Sequence, residues 1–247
     1  LQHMVLTVEL DPVGQAPPTP VADPTGIIKS RFISFSVPSG ASPPETALRV
    51  KLMSLHNVSP VYPNPTNLPI PFTLFQGQSQ YVGPPVQYVE SASDPTTFMA
   101  SKLQCTPYYQ DWSTISLLHV TGEAILPSSS YDVENLAASC LGNEAICTDV
   151  SAPLTIATAR FGDVIINGAA NFPDIQSLVA KYQSKAGAPI KARSKLATTN
   201  TRGLINIALD VGFADISADV AAYQGKPYPY KPGKCSGAPA TACKDNT

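Results

Sequence analysis

The pattern of apolar and polar positions divides the chain into a region of short strands and a later region with helical spacing. Residues 46–56 alternate, with Leu48, Val50 and Leu52 separated by charged neighbours, which is the period of a half-buried strand. Similar runs bounded by turn residues occur at 4–10, 27–37, 72–75, 80–82, 97–103, 113–121, 131–136 and 154–161. This succession of short strands predicts a mainly β protein built on an antiparallel β-sandwich.

The helical spacing begins after residue 171. Asn171 is placed to cap a helix, and Asp174 follows three residues later, as in a capping box. Apolar residues then recur at i, i+3, i+4 and i+7, as Ile175, Leu178, Val179 and Tyr182. The sequence therefore predicts a helix that starts at about residue 172 and runs to residue 182.

This unit is duplicated. The same pattern returns 41 residues later in Gly212-Phe-Ala-Asp-Ile216 and Val220-Ala-Ala-Tyr-Gln224. The matched pairs are Phe172 and Phe213, Asp174 and Asp215, Ile175 and Ile216, Val179 and Val220, Tyr182 and Tyr223, and Gln183 and Gln224. We interpret the repeat as two copies of one loop–helix unit.

Each copy resembles half of a type I dockerin, the paired calcium-loop and helix module of bacterial secreted proteins. In a twelve-residue calcium loop that starts at Asp163, Gly168 falls at the sixth position. The resemblance implies a calcium site whose ligands are Asp163, Asn167, Asn171 and Asp174. Ile165 occupies the third position, where the family has an oxygen ligand.

The second loop departs further from the dockerin pattern. Aligned on Asp215, it starts at Leu204 and keeps Asn206 as its other ligand residue, so the first loop is the candidate calcium site of the two. The favoured interpretation is that no cofactor is required and that Asp174 and Asp215 cap helices.

A wider resemblance covers residues ~25–235. The stretches Arg31-Phe-Ile-Ser-Phe35, Val82-Gly-Pro-Pro85, Leu117-Leu-His-Val120 and Ala159-Arg-Phe-Gly-Asp163 are similar to uncharacterised secreted proteins of planctomycete-type bacteria. The resemblance implies export and a β region followed by a degenerate dockerin-like pair. We expect an N-terminal strand and tether at 1–24, a β-sandwich domain at 25–160, a helical pair at 161–235 and a tail at 236–247.

Cysteine use and composition also favour a secreted or cell-surface protein. The five cysteines include no C-x-x-C pair. The spacings Cys140–Cys147 and Cys235–Cys243 suit disulfides, and Cys105 is an alternative partner for either residue of the first pair. No signal peptide precedes the first strand, so we expect a mature product or part of a longer chain. No apolar run approaches the ~20 residues of a membrane span.

Motifs for catalysis are missing from the sequence. No metal-binding histidine spacing, nucleophile elbow or phosphate loop occurs, and His119 falls in an apolar strand, where a packed histidine is expected. The chain is therefore predicted not to be an enzyme, with a hydrolase of unrecognised site as an alternative. Tyr108, Tyr109 and Trp112 form either a sugar-stacking platform or part of the core.

Charge is distributed unevenly. Residues 1–159 carry five basic and twelve acidic side chains, whereas residues 160–247 carry eleven basic and six acidic ones. Attraction between these regions predicts a non-enzymatic extracellular structural protein that polymerises head to tail into a surface layer, matrix or fibre, with strand addition by residues 4–10 as a second contact. The alternatives are charges that meet within one chain, and a carbohydrate- or cell-surface-binding module.

The basic segment at 181–202 has few aromatic residues, which argues against nucleic acid as a ligand. Anionic polysaccharide remains as a candidate ligand of this segment.

Overall fold

A computed structural model of the chain describes residues 16–40, 45–55, 79–144 and 146–230. The strands are β1 (Val21–Ala22), β2 (Ile33–Ser36), β3 (Glu45–Leu55), β4 (Ser79–Val82), β5 (Val86–Ser91), β6 (Asp94–Gln104), β7 (Tyr109–Asp111), β8 (Leu118–Thr121), β9 (Ser129–Leu136) and β10 (Leu154–Ala157). The helices are α1 (Phe172–Tyr182), α2 (Lys191–Ser194) and α3 (Phe213–Tyr223). The fold is mainly β, as predicted. The strands predicted at 4–10 and 72–75 lie outside the described residues.

The ten strands form one nearly closed sheet in the order β1-β2-β8-β6-β4-β3-β9-β10, with β5 paired to β6 and β7 paired to β3. The two end strands, β1 and β10, contact each other. Pairing is antiparallel except between β6 and β8, which run parallel. Because the long strand β6 pairs with β5 and β8 and then with β4 at its end, it joins the two halves into a continuous sheet.

The alternation predicted for β3 is present in the fold. Leu48, Val50 and Leu52 are buried, whereas Met53 is exposed. Arg49 is also buried, which the alternation did not predict, because its Nε donates to Glu134 Oε2 across the sheet at 2.8 Å. Arg49 is therefore covered although it lies on the polar face of this strand, and its charge is neutralised by Glu134 of β9.

The helices and the sheet share one hydrophobic core. A single cluster of buried side chains includes Val50 and Val120 of the sheet together with Leu178 of α1 and Ala222 of α3. Burial of these residues from both regions ties the helical pair to the sheet. The proposed boundary between residues 160 and 161 stays a prediction.

The two long helices have the bounds that their spacing predicts. Asn171 and Gly212 are the N-caps of α1 and α3, and each helix is eleven residues long. Asn171 does not cap through its own side chain; instead Asp174 accepts the backbone N–H of Asn171 at 2.9 Å. Within the described ranges, none of the helices combines the length and apolarity that crossing a bilayer requires.

Cys140 and Cys147 form a disulfide, which is one of the pairings that their spacing suggests. It closes a short loop after β9, and Arg49 Nη1 donates to the Glu144 carbonyl in that loop at 2.7 Å. The predicted pair Cys235 and Cys243 lies outside the described residues.

Candidate functional site

The duplication places two buried carboxylates in equivalent roles. In the first copy, Asp174 Oδ1 accepts the backbone N–H groups of Val164 and Ile165 at 2.7 and 2.8 Å, and Oδ2 accepts that of Asn171 at 2.9 Å. One side chain thus connects the start of the loop to the start of α1. A helix N-terminus favours such a carboxylate because its first N–H groups have no partner within the helix.

Asp215 does the same in the second copy. Its Oδ1 accepts the N–H groups of Leu196 and Ala197 at 2.9 and 2.8 Å, and its Oδ2 accepts that of Gly212 at 2.9 Å. Residues 196 and 197 therefore correspond to residues 164 and 165. The sequence alignment predicts that the second loop starts at Leu204, but in the structure it begins earlier. The reason is that the chain has extra residues between the segment that Asp215 binds and α3.

The four predicted calcium ligands surround the first loop and bond mainly to the loop itself. Asp163 Oδ1 accepts the N–H of Asn167 at 2.8 Å, and Asp163 Oδ2 accepts that of Gly168 at 2.9 Å. Asn167 Oδ1 accepts a hydrogen from Asn171 Nδ2 at 3.2 Å. In the described part of the chain, no group of three or more His, Cys, Asp or Glu side chains is arranged to hold a metal ion. Calcium binding at this loop stays a prediction.

A lysine takes the place of the first acidic residue in the second copy. Lys195 immediately precedes the residues that Asp215 binds, as Asp163 precedes Val164 in the first copy. Its Nζ lies 2.9 Å from Asp215 Oδ2 and donates to the Asp210 carbonyl at 2.9 Å. The buried carboxylate of the second copy is therefore neutralised by an ammonium group of the same chain.

A further carboxylate lies beside these loops without a hydrogen bond. Asp219, in the middle of α3, is fully buried, and neither of its carboxylate oxygens has a partner. Desolvation, followed by repulsion from Asp174 and Asp163, raises its pKa from 3.8 to about 8. Burial likewise raises the pKa of Asp163. The repeat does not predict this cluster, since the position in α1 that matches Asp219 is Leu178.

The surface of the helical pair carries a group of aromatic side chains. Several large hydrophobic side chains in the described part of the chain are more than a third exposed. Four of them are aromatic, and all four belong to the duplicated helices. We call them the aromatic face: Phe172 (59% exposed), Tyr182 (44%), Phe213 (70%) and Tyr223 (53%). The rings of Tyr182 and Phe213, from different helices, are 4.9 Å apart. Helical spacing predicts that Tyr182 lies in the buried stripe, but the structure leaves it exposed.

Charges of the acidic strand region and of the basic region also meet within one chain. Glu90 Oε1 of β5 accepts from Lys181 Nζ and from the backbone N–H of Lys191. Glu123 Oε2 lies 2.6 Å from Arg202 Nη2. Arg31 donates to the carbonyls of Leu196 and Gly203. Part of the charge difference between the two regions is therefore balanced by contacts within one chain, as the intramolecular alternative predicts.

The three aromatic residues predicted as a sugar platform are not all accessible. Trp112 is buried, and its Nε1 donates to the Thr46 carbonyl at 2.8 Å. Tyr108 packs edge-on against Trp112, and Tyr109 OH reaches Glu144 Oε1 at 3.3 Å. Both tyrosines are half-buried. Trp112 is thus part of the hydrophobic core, as the alternative interpretation predicts. Ligand binding by the two tyrosines stays a prediction.

His119 is a packed side chain, as its apolar strand predicts. It is buried, its Nδ1 lies 2.6 Å from Ser34 Oγ, and its ring contacts Phe98. Desolvation lowers its pKa to about 3, so the ring is neutral at ordinary pH.

Comparisons of the chain with protein-family models, with curated proteins and with solved structures find no match. The resemblances to dockerins and to secreted planctomycete-type proteins therefore stay predictions that rest on the residues themselves.

Proposed function

We propose that this chain is a non-enzymatic extracellular structural protein that assembles with copies of itself, and that the aromatic face is one side of the contact. The observation that carries the proposal is the position of the four exposed aromatic residues at two pairs of duplicated sites, Phe172 with Phe213 and Tyr182 with Tyr223.

Exposed aromatic side chains on the two helices favour an interface, and two of them, Tyr182 and Phe213, are in ring contact with each other. Each such side chain buries on the order of 150–250 Å² when it is covered. Apolar patches of more than a few hundred Å² on a monomer typically mark interaction sites. The duplication repeats the same residues on both helices, so a partner meets two similar contact points.

Charge complementarity favours a second copy as that partner. Lys185 and Lys226 follow α1 and α3 at equivalent positions, each three residues after an exposed tyrosine of the aromatic face, and both are exposed. The strand region, in contrast, keeps exposed acidic residues such as Glu45 and Asp94. A strand region of one molecule against the helical pair of the next gives a head-to-tail contact, which extends into a filament if it does not close into a ring.

Two further features agree with an extracellular protein of this kind. The disulfide between Cys140 and Cys147 suits an oxidising compartment. The paired loop–helix units, each joined by a buried carboxylate, agree with a dockerin-like origin for the helical pair, a module that serves assembly in secreted proteins.

The test is the state of association. Mass photometry and analytical ultracentrifugation at low salt are expected to show concentration-dependent oligomers of the wild type, which weaken as salt screens the charges. The double variant Phe172→Ser/Phe213→Ser is expected to be monomeric. The matched control Phe172→Tyr/Phe213→Tyr keeps both exposed aromatic rings and is expected to assemble like the wild type.

A strict monomer at high concentration and low salt would overturn the proposal. So would equal assembly of the Phe172→Ser/Phe213→Ser variant, because it would place the contact elsewhere. Circular dichroism of each variant establishes that its fold is retained.

A further inference from the structure

A polar cavity of about 170 Å³ lies at one end of the sheet, away from the helical pair. Asn135 of β9 and Trp112, which follows β7, are almost fully buried and form its inner wall. Pro38, Ser39 and Gly40 line it as well and are exposed, so the cavity reaches the surface.

The inner wall carries an acceptor without a donor. Asn135 Nδ2 donates to the Pro18 carbonyl at 3.0 Å, and this contact fixes the orientation of the amide because a carbonyl oxygen can only accept. Asn135 Oδ1 is buried and has no hydrogen-bond partner. A buried acceptor in this state costs on the order of 1–3 kcal/mol unless a donor reaches it.

A carboxylate lines the same cavity. Asp111 Oδ1 accepts from the N–H and the hydroxyl of Ser113 at 3.0 and 2.6 Å. Asp111 forms no ion pair with any residue that the structure describes, and its Oδ2 accepts no hydrogen bond from them. Because the Ser113 hydroxyl donates to Asp111, its oxygen is left as a third acceptor.

Three side-chain donors of the lining are already engaged. Trp112 Nε1 donates to the Thr46 carbonyl, and Asn135 Nδ2 and the Ser113 hydroxyl donate as described above. The ligand that fits is therefore a donor with a positive charge. A primary ammonium group carries three N–H donors and no acceptor, which matches three acceptors of which one is charged.

We propose that this cavity binds a primary ammonium group, with Asp111, Asn135 and Ser113 as acceptors. The site is separate from the aromatic face and does not depend on assembly. The ligand class is a small primary amine, or the amine end of a longer molecule that enters past Ser39.

Trp112 supplies the test, since it is the sole tryptophan of the chain and lines the cavity. Titration of the wild-type protein with n-propylammonium chloride is expected to change tryptophan emission in a saturable way. Two parallel titrations separate the chemistry: n-propanol has the same shape without the charge, and potassium chloride has the charge without N–H donors. Neither is expected to produce the saturable change.

Variants locate the site. Asp111→Asn keeps an acceptor for Ser113 and removes the charge, so amine binding is expected to weaken at least about tenfold. Asp132→Asn is the matched control, because Asp132 also accepts a hydroxyl, that of Thr155 at 2.6 Å, but lies outside the cavity. Ser39→Phe at the exposed rim blocks entry and is expected to abolish the change even if Asp111→Asn fails to fold.

The proposal is overturned if the wild type shows no saturable response up to tens of millimolar amine. An equal response to n-propanol or to potassium overturns it as well, as does unchanged amine binding in the folded Asp111→Asn and Ser39→Phe variants.

Discussion

Leu178 and Asp219 occupy equivalent positions in the two duplicated helices, and both side chains are fully buried. Leu178 belongs to the hydrophobic core, whereas the carboxylate of Asp219 has no hydrogen-bond partner. The second copy thus places an acidic group where the first places an alkyl group. An unpaired buried carboxylate favours its neutral, protonated form.

We predict that Asp219 makes the stability of the protein fall as pH rises. Its pKa is about 8 in the folded chain and 3.8 as the reference value for the unfolded chain. Between these values the folded state keeps a proton that the unfolded state releases, so the free energy of unfolding falls by up to ~1.4 kcal/mol per pH unit. Above pH 8 the loss is complete.

Urea denaturation of the wild type and of Asp219→Leu across this pH range measures the effect. The variant is expected to be more stable at pH 8 by a few kcal/mol, with a smaller difference near pH 4. Asp163, whose pKa is also raised, is present in both proteins, so the difference between their pH profiles reports Asp219. Parallel pH profiles for the two proteins would show that Asp219 is ionised in the folded state.

The ion pair between Lys195 and Asp215 is predicted to be a major contributor to the stability of the second copy. Lys195→Met leaves a fully buried carboxylate without its ammonium partner, and we expect a loss of about 3–5 kcal/mol in the free energy of unfolding. Lys185→Met, at an exposed position, is the control and is expected to cost little.

A double variant separates charge from packing in that pair. Adding Asp215→Asn to Lys195→Met removes the uncompensated charge while keeping an oxygen for the backbone N–H groups, so part of the stability is expected to return. A loss below about 1 kcal/mol in Lys195→Met would contradict the assignment, because a surface pair costs that little.

The first loop is predicted to hold its shape without calcium. All four carboxylate oxygens of Asp163 and Asp174 already accept backbone N–H groups. We therefore expect the melting temperature to be the same in EDTA and in millimolar calcium. A rise with calcium in the wild type that is lost in Asp163→Asn would instead establish the dockerin-like metal site.

Reduction of the disulfide is predicted to destabilise the strand region. Cys140 is buried, and its bond to Cys147 closes a loop of about eight residues, for which the chain-entropy relation gives roughly 2–3 kcal/mol. The variant Cys140→Ala/Cys147→Ala measured against the wild type under oxidising conditions tests this value. Equal denaturation midpoints would show that hydrogen bonds, such as those that Arg49 and Tyr109 donate to Glu144, hold the loop without the disulfide.

Local patterns in the sequence predicted several elements closely because their causes are local. Helical spacing and the placement of Asn171 and Gly212 located α1 and α3, and alternation located β3 within one residue at each end. The strand predicted at 27–37 shortens to Ile33–Ser36, and before it the side chains of Lys29 and Arg31 make contacts with Asp23 and with the Leu196 carbonyl that alternation could not predict.

Features that depend on distant residues were not visible in the sequence. The parallel pairing of β6 with β8 and the cavity beside Trp112 both require segments far apart in the chain. The extra length of the second loop was hidden because the helix pattern aligns Asp215 but not the residues that Asp215 binds. The aromatic face was present as matched residues of the repeat, but periodicity assigned Tyr182 to the interior.

Arg31 has a consequence for the order of events during synthesis. Its guanidinium group donates to the carbonyl of Gly203, 172 residues later, and lies 5.1 Å from the ring centre of Tyr228. Most of the chain must therefore be synthesised before Arg31 can contact Gly203 and Tyr228. Contacts of such long sequence separation slow folding, and the incomplete sheet is exposed to aggregation in the interval. Nascent chains truncated before residue 203 are thus expected to depend on chaperones.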